Sequence, residues 1–178
     1  MELVQPSAEY KDSFLDAVRE FQADDDFTTR TAWYRSISVS ELEADFDAFV
    51  AREVGYALGK NLPGDFVPCS EYWLVDDGKF IGRASLRHRL NQRLEKFGGH
   101  IGYDIRPSER GTGYGNTILA LTLEKANGLG LHRVLVTVDV RNTASRKVVE
   151  KNGGVFQDKI PNPDMGHDLL RYWIDIPK

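Results

Sequence analysis

A glycine-rich stretch between a short strand and a long apolar helix constrains the fold of this chain most strongly. Residues 100–105 alternate as a strand does, and the apolar run 118–129 predicts a helix buried against a sheet. Glycines let the backbone turn tightly, and the first amides of a helix are unpaired and partially positive. The stretch therefore predicts a phosphate cradle, although a glycine turn before a helix is also a common compact connection. The glycines are Gly111, Gly113 and Gly115.

The spacing of these glycines departs from the two common nucleotide motifs. No Gly-Lys-Ser/Thr follows them, as a P-loop requires, and the dinucleotide pattern Gly-x-Gly-x-x-Gly with a downstream acidic residue is missing. Arg110 stands directly before the glycines and adds a cation. The loop therefore predicts anion binding without either of those two motifs.

Apolar residues at helical spacing predict four helices, and a polar turn or short helix over 91–97. The second helix has Ser40 and Glu43 at the positions of a capping box. Asn142 is a favoured cap residue and predicts the start of the fourth helix. The four helices are expected over 8–21, about 41–58, 118–129 and 142–153.

Alternating apolar residues predict the strands, and an Asp-Gly pair at 77–78 predicts a hairpin between the first two of them. Strands 100–106 and 132–140 are separated by a helix, so a right-handed crossover would make them parallel. The prediction is an α/β (α+β) fold with a mixed sheet and helices on both faces. The strands are expected over 71–75, 79–90, 100–106, 132–140, 155–157 and 168–176.

Composition limits the functions that remain open. A chain of 178 residues with 41% hydrophobic content predicts one domain over residues 1–178. A net charge of −4 argues against a nucleic-acid partner. Cys69 is the single cysteine, so no intrachain disulfide can form. The N-terminus lacks the features of a signal peptide and no apolar run approaches membrane-spanning length, which predicts a cytoplasmic protein without a membrane partner.

Two linked motifs resemble those of the GNAT superfamily of acetyl-CoA-dependent N-acetyltransferases. The loop matches the family pattern Arg/Gln-x-x-Gly-x-Gly/Ala, and a later segment is similar to the family's Asn-x-x-Ser and Glu-Lys-x-Gly elements. Phrases such as 72–76 and 98–103 are similar to those of bacterial predicted acetyltransferases. The matching residues are Arg110, Gly113, Gly115, Asn142, Ser145, Glu150, Lys151 and Gly153.

The resemblance implies a GNAT fold. Such a fold has a mixed central sheet of about six to seven strands, about four flanking helices, and parallel strands 4 and 5 that splay apart. It also implies that residues 1–68 form the N-terminal helices and the acceptor side, and that residues 69–178 form the acetyl-CoA-binding core. A homodimer is common in the family.

The resemblance implies acetyl-CoA as the acetyl donor, without a metal. Loop amides hold the pyrophosphate in the family, strand backbone pairs with pantetheine, and an asparagine bonds the pantetheine arm. Asn142 could serve both as that asparagine and as a plain helix cap, because the groups involved are separate. The implied cofactor contacts are Tyr103, Ile105, Arg106, Arg110, Gly111, Thr112, Gly113, Tyr114, Gly115, Asn116, Asn142 and Ser145.

Many relatives use a tyrosine as the acid of the reaction, directly before the Glu-Lys pair, where this chain has Val149. That departure leaves Ser145 as the candidate donor to the CoA sulfur; the alternative is a helix serine that bonds the preceding turn. His100 stands near a position at which relatives carry a base, and imidazole titrates near working pH. A packed or surface histidine is the alternative. His88 and Glu71 are rival bases, and a water chain without any dedicated base is a further alternative.

These observations predict an N-acetyltransferase that acetylates a primary amine of a small molecule or peptide by direct attack in a ternary complex. The alternative, suggested by Val149, is a CoA-binding regulatory or interaction module without chemistry. By resemblance, acidic residues that border the acceptor site could form a rim that attracts a cationic amine; the alternative, which the sequence favours, is that they lie on solvated helix faces. The rim residues are Asp24, Asp25, Asp26, Glu41, Glu43, Asp45 and Asp47.

Overall fold

A computed structural model of the chain describes residues 1–25, 29–60, 62, 64–163 and 166–177. The described residues form two sheets, in which every ladder is antiparallel. The first sheet has the order β1-β2-β3-β4 and the second has the order β5-β7-β6. The strands are β1 Glu2–Val4, β2 Cys69–Asp76, β3 Lys79–Arg87, β4 Ile101–Ile105, β5 Arg133–Asp139, β6 Val155–Asn162 and β7 His167–Asp175.

Helices cover both sheets, which confirms the predicted fold class. The four predicted helices are present in whole or in part, and short helices are found beside them. Within the described ranges the helices are α1 Lys11–Ala23, α2 Thr29–Arg35, α3 Val39–Ala44, α4 Phe46–Gly55, α5 Gln92–Phe97, α6 Tyr114–Gly128 and α7 Thr143–Lys151. None of the helices in this part of the chain is both long and apolar enough to cross a bilayer.

The helix predicted over 41–58 is wrong as one element, because the backbone breaks at Asp45. Asp45 has φ −146° and ψ 69°, and its carboxylate accepts the Ala48 N–H at 3.0 Å, so it ends α3 and caps α4. The cap of α3 is Ser38, whose hydroxyl accepts the Glu41 N–H at 3.3 Å. The capping box predicted at Ser40 is therefore two residues late.

The prediction of one mixed sheet differs from the structure in one respect, because the described strands form two sheets. Strands β4 and β5 belong to different sheets, and the described backbone joins them by one isolated bridge of antiparallel type between Gly99 and Val136. Gly99 has φ +65°, and a Cβ there would lie 2.3 Å from the Leu135 carbonyl oxygen. The bridge thus belongs to the turn before β4, and the strands part beyond it as the predicted splay requires.

The remaining strand differences concern lengths. The Asp-Gly hairpin is present, with Asp77 at φ 48° and Gly78 at φ 73°. Strand β6 extends to Asn162, five residues beyond its predicted end, although most of its residues are exposed. Its polar residues carry no clear alternation, so pairing with β7 defines the strand.

Two apolar clusters flank the gap between the sheets. An aromatic cluster joins α1, α3 and α4 to β2 and β3, with Phe14 stacked on Trp73 at 4.5 Å between ring centroids. A second cluster packs α6 and α7 on β5 and β7, and includes Leu119 and Val149. The sheets are therefore held from both sides, while the ends of β4 and β5 stay apart.

Candidate active site

A cavity of about 1470 Å³ lies between the two sheets, where β4 and β5 separate. One part of its wall is the glycine loop with the start of α7, and other parts come from α2, α4, β2 and β3. The end of β6 and the start of β7 contribute Asn162 and His167. Residues far apart in sequence thus share one cavity, as is usual for ligand sites.

The glycine loop has the backbone that an anion cradle needs. Gly111 has φ +79° and Gly113 has φ +100°, which side chains rarely tolerate, and a Cβ at either would meet no described atom within 4 Å. Gly113 precedes α6, and within the described chain no side chain caps that helix. The Asn116 N–H bonds the Gly113 carbonyl at 2.9 Å. Amides of residues 111–115 therefore remain to face an anion, whereas the predicted Asn116 amide does not.

Three other loop residues also contact the scaffold. Gly115 lies inside α6, where a Cβ would approach Val148 Cγ2 to 3.1 Å, so this glycine serves helix packing. The Tyr114 hydroxyl donates to Asp76 Oδ2 at 2.7 Å, and the Thr112 hydroxyl donates to the Glu109 carbonyl at 2.7 Å. Both side chains are thus turned to the scaffold, which leaves only their backbone for a ligand.

Asn116 contributes its side chain to the cavity. Its Oδ1 is buried, and the described residues offer it no hydrogen-bond partner. A buried carbonyl oxygen without a donor is costly, so a ligand N–H at this position would be favourable.

The two arginines of the predicted cofactor set are held by α1 and the residue that follows it. Arg110 Nη1 lies 2.7 Å from Asp24 Oδ2, and its Nε donates to the Ile105 carbonyl at 3.3 Å. Arg106 pairs with Glu20 at 2.6 Å and does not line the cavity. The Arg106 prediction is therefore corrected to a scaffold residue, while Arg110 stays at the cavity wall.

Alternate residues of β4 form hydrogen bonds with β3, so the backbone groups of the other residues point away from β3. The Arg106 N–H donates to the Ile81 carbonyl at 2.8 Å, and the Arg87 N–H donates to the His100 carbonyl at 2.8 Å. Even-numbered residues of β4 consequently face β3, and Tyr103 and Ile105 direct their backbone groups to the opposite edge. Both residues line the cavity, as expected for a strand edge that pairs with an extended ligand.

Two hydroxyl groups meet at the start of α7. Asn142 Oδ1 accepts the Ser145 N–H at 2.9 Å and so caps the helix. Ser145 Oγ lies 3.0 Å from the Tyr103 hydroxyl, and all three residues line the cavity. Val149 is fully buried, so the usual tyrosine position of this helix belongs to the core here. The Tyr103 hydroxyl enters the cavity wall from β4 instead.

His100 is not placed as a base. It is 7% exposed, its Nδ1 accepts the Leu135 N–H at 2.9 Å, and it does not line the cavity. Burial, aided by the nearby Arg87 charge, lowers the pKa of His100 to about 4. The base prediction is therefore corrected: this imidazole is a neutral acceptor that joins β4 to β5. Of the rival bases, His88 bonds Ser70 Oγ at 2.8 Å away from the cavity, whereas Glu71 lines it.

A buried ionic cluster lines the cavity on the α2 and α4 side. The Arg83 guanidinium stacks on Trp33 at 3.7 Å and lies 3.8 Å from both Glu71 and Asp104. Burial alone would lower the pKa of Arg83, but the surrounding charges, Glu71 foremost, raise it above its ordinary value. The Tyr34 hydroxyl donates to Asp104 at 2.6 Å. Arg83 is thus enclosed by aromatic and acidic partners.

Glu53 adds a third carboxylate to this cluster. It extends from α4, is 6% exposed, and has Arg52 Nε at 3.5 Å. Burial raises the pKa of Glu53, and the negative charge of Glu71 raises it further. A buried carboxyl with a raised pKa in a cavity is typical of a functional site.

The β6–β7 side of the cavity carries polar groups that the sequence did not single out. His167 Nε2 lies 2.7 Å from Asp139 Oδ2, and Arg141 also bonds that aspartate. Asn162 is 8% exposed, and its Oδ1 finds no hydrogen-bond partner within the described ranges. These residues come from separate strands and turns, so no local motif could have identified them.

The predicted acidic rim does not form the cavity wall. Asp24 pairs with Arg110, Glu43 pairs with Arg19 at 2.5 Å, and Asp45 caps α4. Asp26 lies outside the described residues. The acidic groups that line the cavity beside Arg83 are Glu53, Glu71 and Asp104.

Comparison with known proteins agrees with this geometry. The family model for the acetyltransferase (GNAT) domain matches residues 3–155. No curated protein matches the sequence.

Solved structures of low identity share the fold. RimL, a ribosomal alpha-N-protein acetyltransferase in complex with coenzyme A, is 16% identical with a TM-score of 0.71, over 98% of this chain and 93% of that one. The microcin self immunity acetyltransferase MccE, in complex with acetyl-CoA and AMP, is 14% identical with a TM-score of 0.71, over 98% and 91%. A spermidine N-acetyltransferase SpeG chimera from Vibrio cholerae and hSSAT is 17% identical with a TM-score of 0.62, over 98% and 96%. The chain belongs to the GNAT family of acetyltransferases.

Proposed function

We propose that this protein transfers the acetyl group of acetyl-CoA to a primary amine of a small molecule or peptide by direct attack in a ternary complex. The observation that carries the proposal is that one cavity combines two features. An anion cradle and an open strand edge line one side of it, and buried carboxylates line the other. Acetyl-CoA and the amine could therefore be bound next to each other in the same cavity.

The donor half rests on backbone groups. Amides of residues 111–115 and the positive end of α6 would hold the pyrophosphate. The edge formed by Tyr103 and Ile105 would pair with the extended arm of the cofactor, and Asn142 stands beside that edge. RimL and MccE, which share the fold, were solved with coenzyme A and acetyl-CoA.

The chemistry needs little beyond orientation and proton handling. Acetyl-CoA, when bound, supplies an activated thioester, whose carbon–sulfur bond breaks as the amine nitrogen forms the new amide. The paired Tyr103 and Ser145 hydroxyls are suited to deliver a proton to the departing sulfur. The proton that the ammonium must lose before attack would pass to the carboxylates of the acceptor side, since His100 is turned to the backbone.

Steady-state assays of CoA thiol release with a panel of primary amines test this proposal, together with calorimetric titration of CoA. We expect CoA to bind and at least one amine to be acetylated. A CoA-binding module would give binding without turnover with every amine. The absence of any CoA binding would contradict both functions.

A further inference from the structure

We propose that the acceptor is a cationic amine with a second N–H donor, bound by Glu53 and Glu71 at the charged end and by Asn162 Oδ1 along its length. The inference rests on the proposed function and assigns its substrate class. The chemistry could be that of a diamine or of a peptide amino terminus, since both combine an ammonium with a further N–H group.

Charge in the cavity interior favours a cation. Three carboxylates, Glu53, Glu71 and Asp104, stand against one buried guanidinium, Arg83. When all are ionised the cluster keeps an excess of negative charge, and buried side chains are screened less than exposed ones, so that excess favours a cationic ligand. Each carboxylate already has partners: Asp104 accepts the Tyr34 hydroxyl, Glu71 accepts the Ser85 hydroxyl, and Glu53 lies 3.5 Å from Arg52. A carboxylate has about four acceptor positions, so Glu53 and Glu71 can still accept hydrogen bonds from an ammonium.

The other arginines of the cavity offset this charge only in part. Arg110 is paired with Asp24, and Arg87 donates to the Gly98 and Gly99 carbonyls at 3.3 and 3.2 Å. Arg52 lies 3.5 Å from Glu53, but Arg52 and Arg93 are exposed, so solvent screens them. The buried carboxylates are therefore screened less than the exposed arginines.

Asn162 provides an independent reason to expect an N–H donor. It is more than nine-tenths buried, lines the same cavity, and its Oδ1 is without a hydrogen-bond partner among the described residues. Such an oxygen is costly to bury and gains from a donor supplied by a ligand. The carboxylates thus favour a positively charged group of the ligand, whereas Asn162 favours an N–H group, whether neutral or charged.

The first test compares four amines that share one primary amino group. Putrescine carries a second N–H group that is charged, N-acetylputrescine keeps a second N–H group without the charge, butylamine has no second N–H group, and gamma-aminobutyrate carries a negative charge in its place. We expect kcat/KM to fall in that order, by roughly tenfold for each lost charged contact. A tripeptide amide with a free amino terminus forms a separate arm: if it exceeds putrescine, the source of the chemistry is a peptide.

The second test uses variants with matched controls. Glu53→Gln should raise KM for putrescine by roughly ten- to hundredfold and leave KM for acetyl-CoA within about twofold. Asn162→Ala should raise KM for putrescine and N-acetylputrescine by roughly three- to tenfold but leave butylamine unchanged, which a general structural defect would not do. The exposed Glu124→Gln and Asn127→Ala, outside the cavity wall, should behave as the unaltered protein.

Two results would overturn the inference in distinguishable ways. If butylamine and gamma-aminobutyrate are acetylated as well as putrescine, and both cavity variants keep that profile, the acceptor class is wrong while acetyl transfer stands. If CoA binds but no amine is acetylated, the proposed function fails and the inference fails with it.

Discussion

Removal of the Tyr103 hydroxyl should slow turnover without weakening acetyl-CoA binding. Tyr103→Phe keeps the backbone edge of β4 and the ring, and deletes only the oxygen that lies 3.0 Å from Ser145 Oγ. Loss of one neutral, half-buried hydrogen bond should lower the free energy of unfolding by only about 1 kcal/mol. If the hydroxyl pair protonates the departing sulfur, kcat should fall by about 10²-fold, the lower end of the range for positioned acids.

The double variant tests whether the two hydroxyls act as one unit. Ser145→Ala should lower kcat by a similar factor. The double variant should be about as slow as either single variant, because each single substitution already removes proton transfer through the pair of hydroxyls. The assay is thiol release at saturating acetyl-CoA and amine, with calorimetry to show that CoA affinity is unchanged. Losses that multiply would show independent roles. An unchanged kcat in Tyr103→Phe would refute the assignment.

Three further predictions concern the loop and His100. Arg110→Ala should raise KM for acetyl-CoA several-fold with a smaller effect on kcat; if Asp24→Asn has the same effect, the ion pair at 2.7 Å matters rather than a phosphate contact. Gly113→Ala should cost roughly 1–3 kcal/mol in unfolding free energy, because φ is +100°, and should weaken CoA binding in calorimetry; equal stability would contradict the strained cradle. His100 has its pKa lowered to about 4, so its contribution to stability is complete above the unfolded value near 6.5 and is lost as pH falls towards 4. The free energy of unfolding, measured with urea, should fall by roughly 2 kcal/mol between pH 6.5 and pH 4 after solvent screening is allowed for. His100→Gln should make the free energy of unfolding less dependent on pH over this range.

The conformation of the glycine loop and of the start of α7 could be predicted from sequence because it makes local demands. Gly111 and Gly113 occupy left-handed backbone that favours glycine, and Asn142 caps the helix that follows it. Such requirements involve only a few neighbouring residues, so a short segment of sequence is enough to recognise them. Gly115 matched the same motif for a different reason, namely its contact with Val148.

Two other features could not be predicted from apolar periodicity. Apolar periodicity continues across Asp45, so the break between α3 and α4 has no signal except a cap that competes with helix continuation. His100 was placed on a strand face, whereas the close approach of Gly99 to Leu135 brings its ring to the backbone of β5.

The polar residues that share the cavity could not be grouped from the sequence, because distant parts of the chain contribute them. Glu53 lies on a helix, Glu71 on β2, and Asn162 and His167 flank a turn more than 90 residues further on. Their shared cavity arises only when the sheets separate. Because acceptor sites are built from such long-range contacts, family motifs report the donor far better than the acceptor.

The central claim is tested most directly by mass spectrometry of a reaction that contains the protein, acetyl-CoA and putrescine, with CoA thiol quantified in the same sample. Acetyl transfer predicts acetylputrescine and free CoA in equal amounts, both dependent on the protein. CoA release without acetylputrescine, or CoA binding with neither product for any amine of the panel, would contradict it.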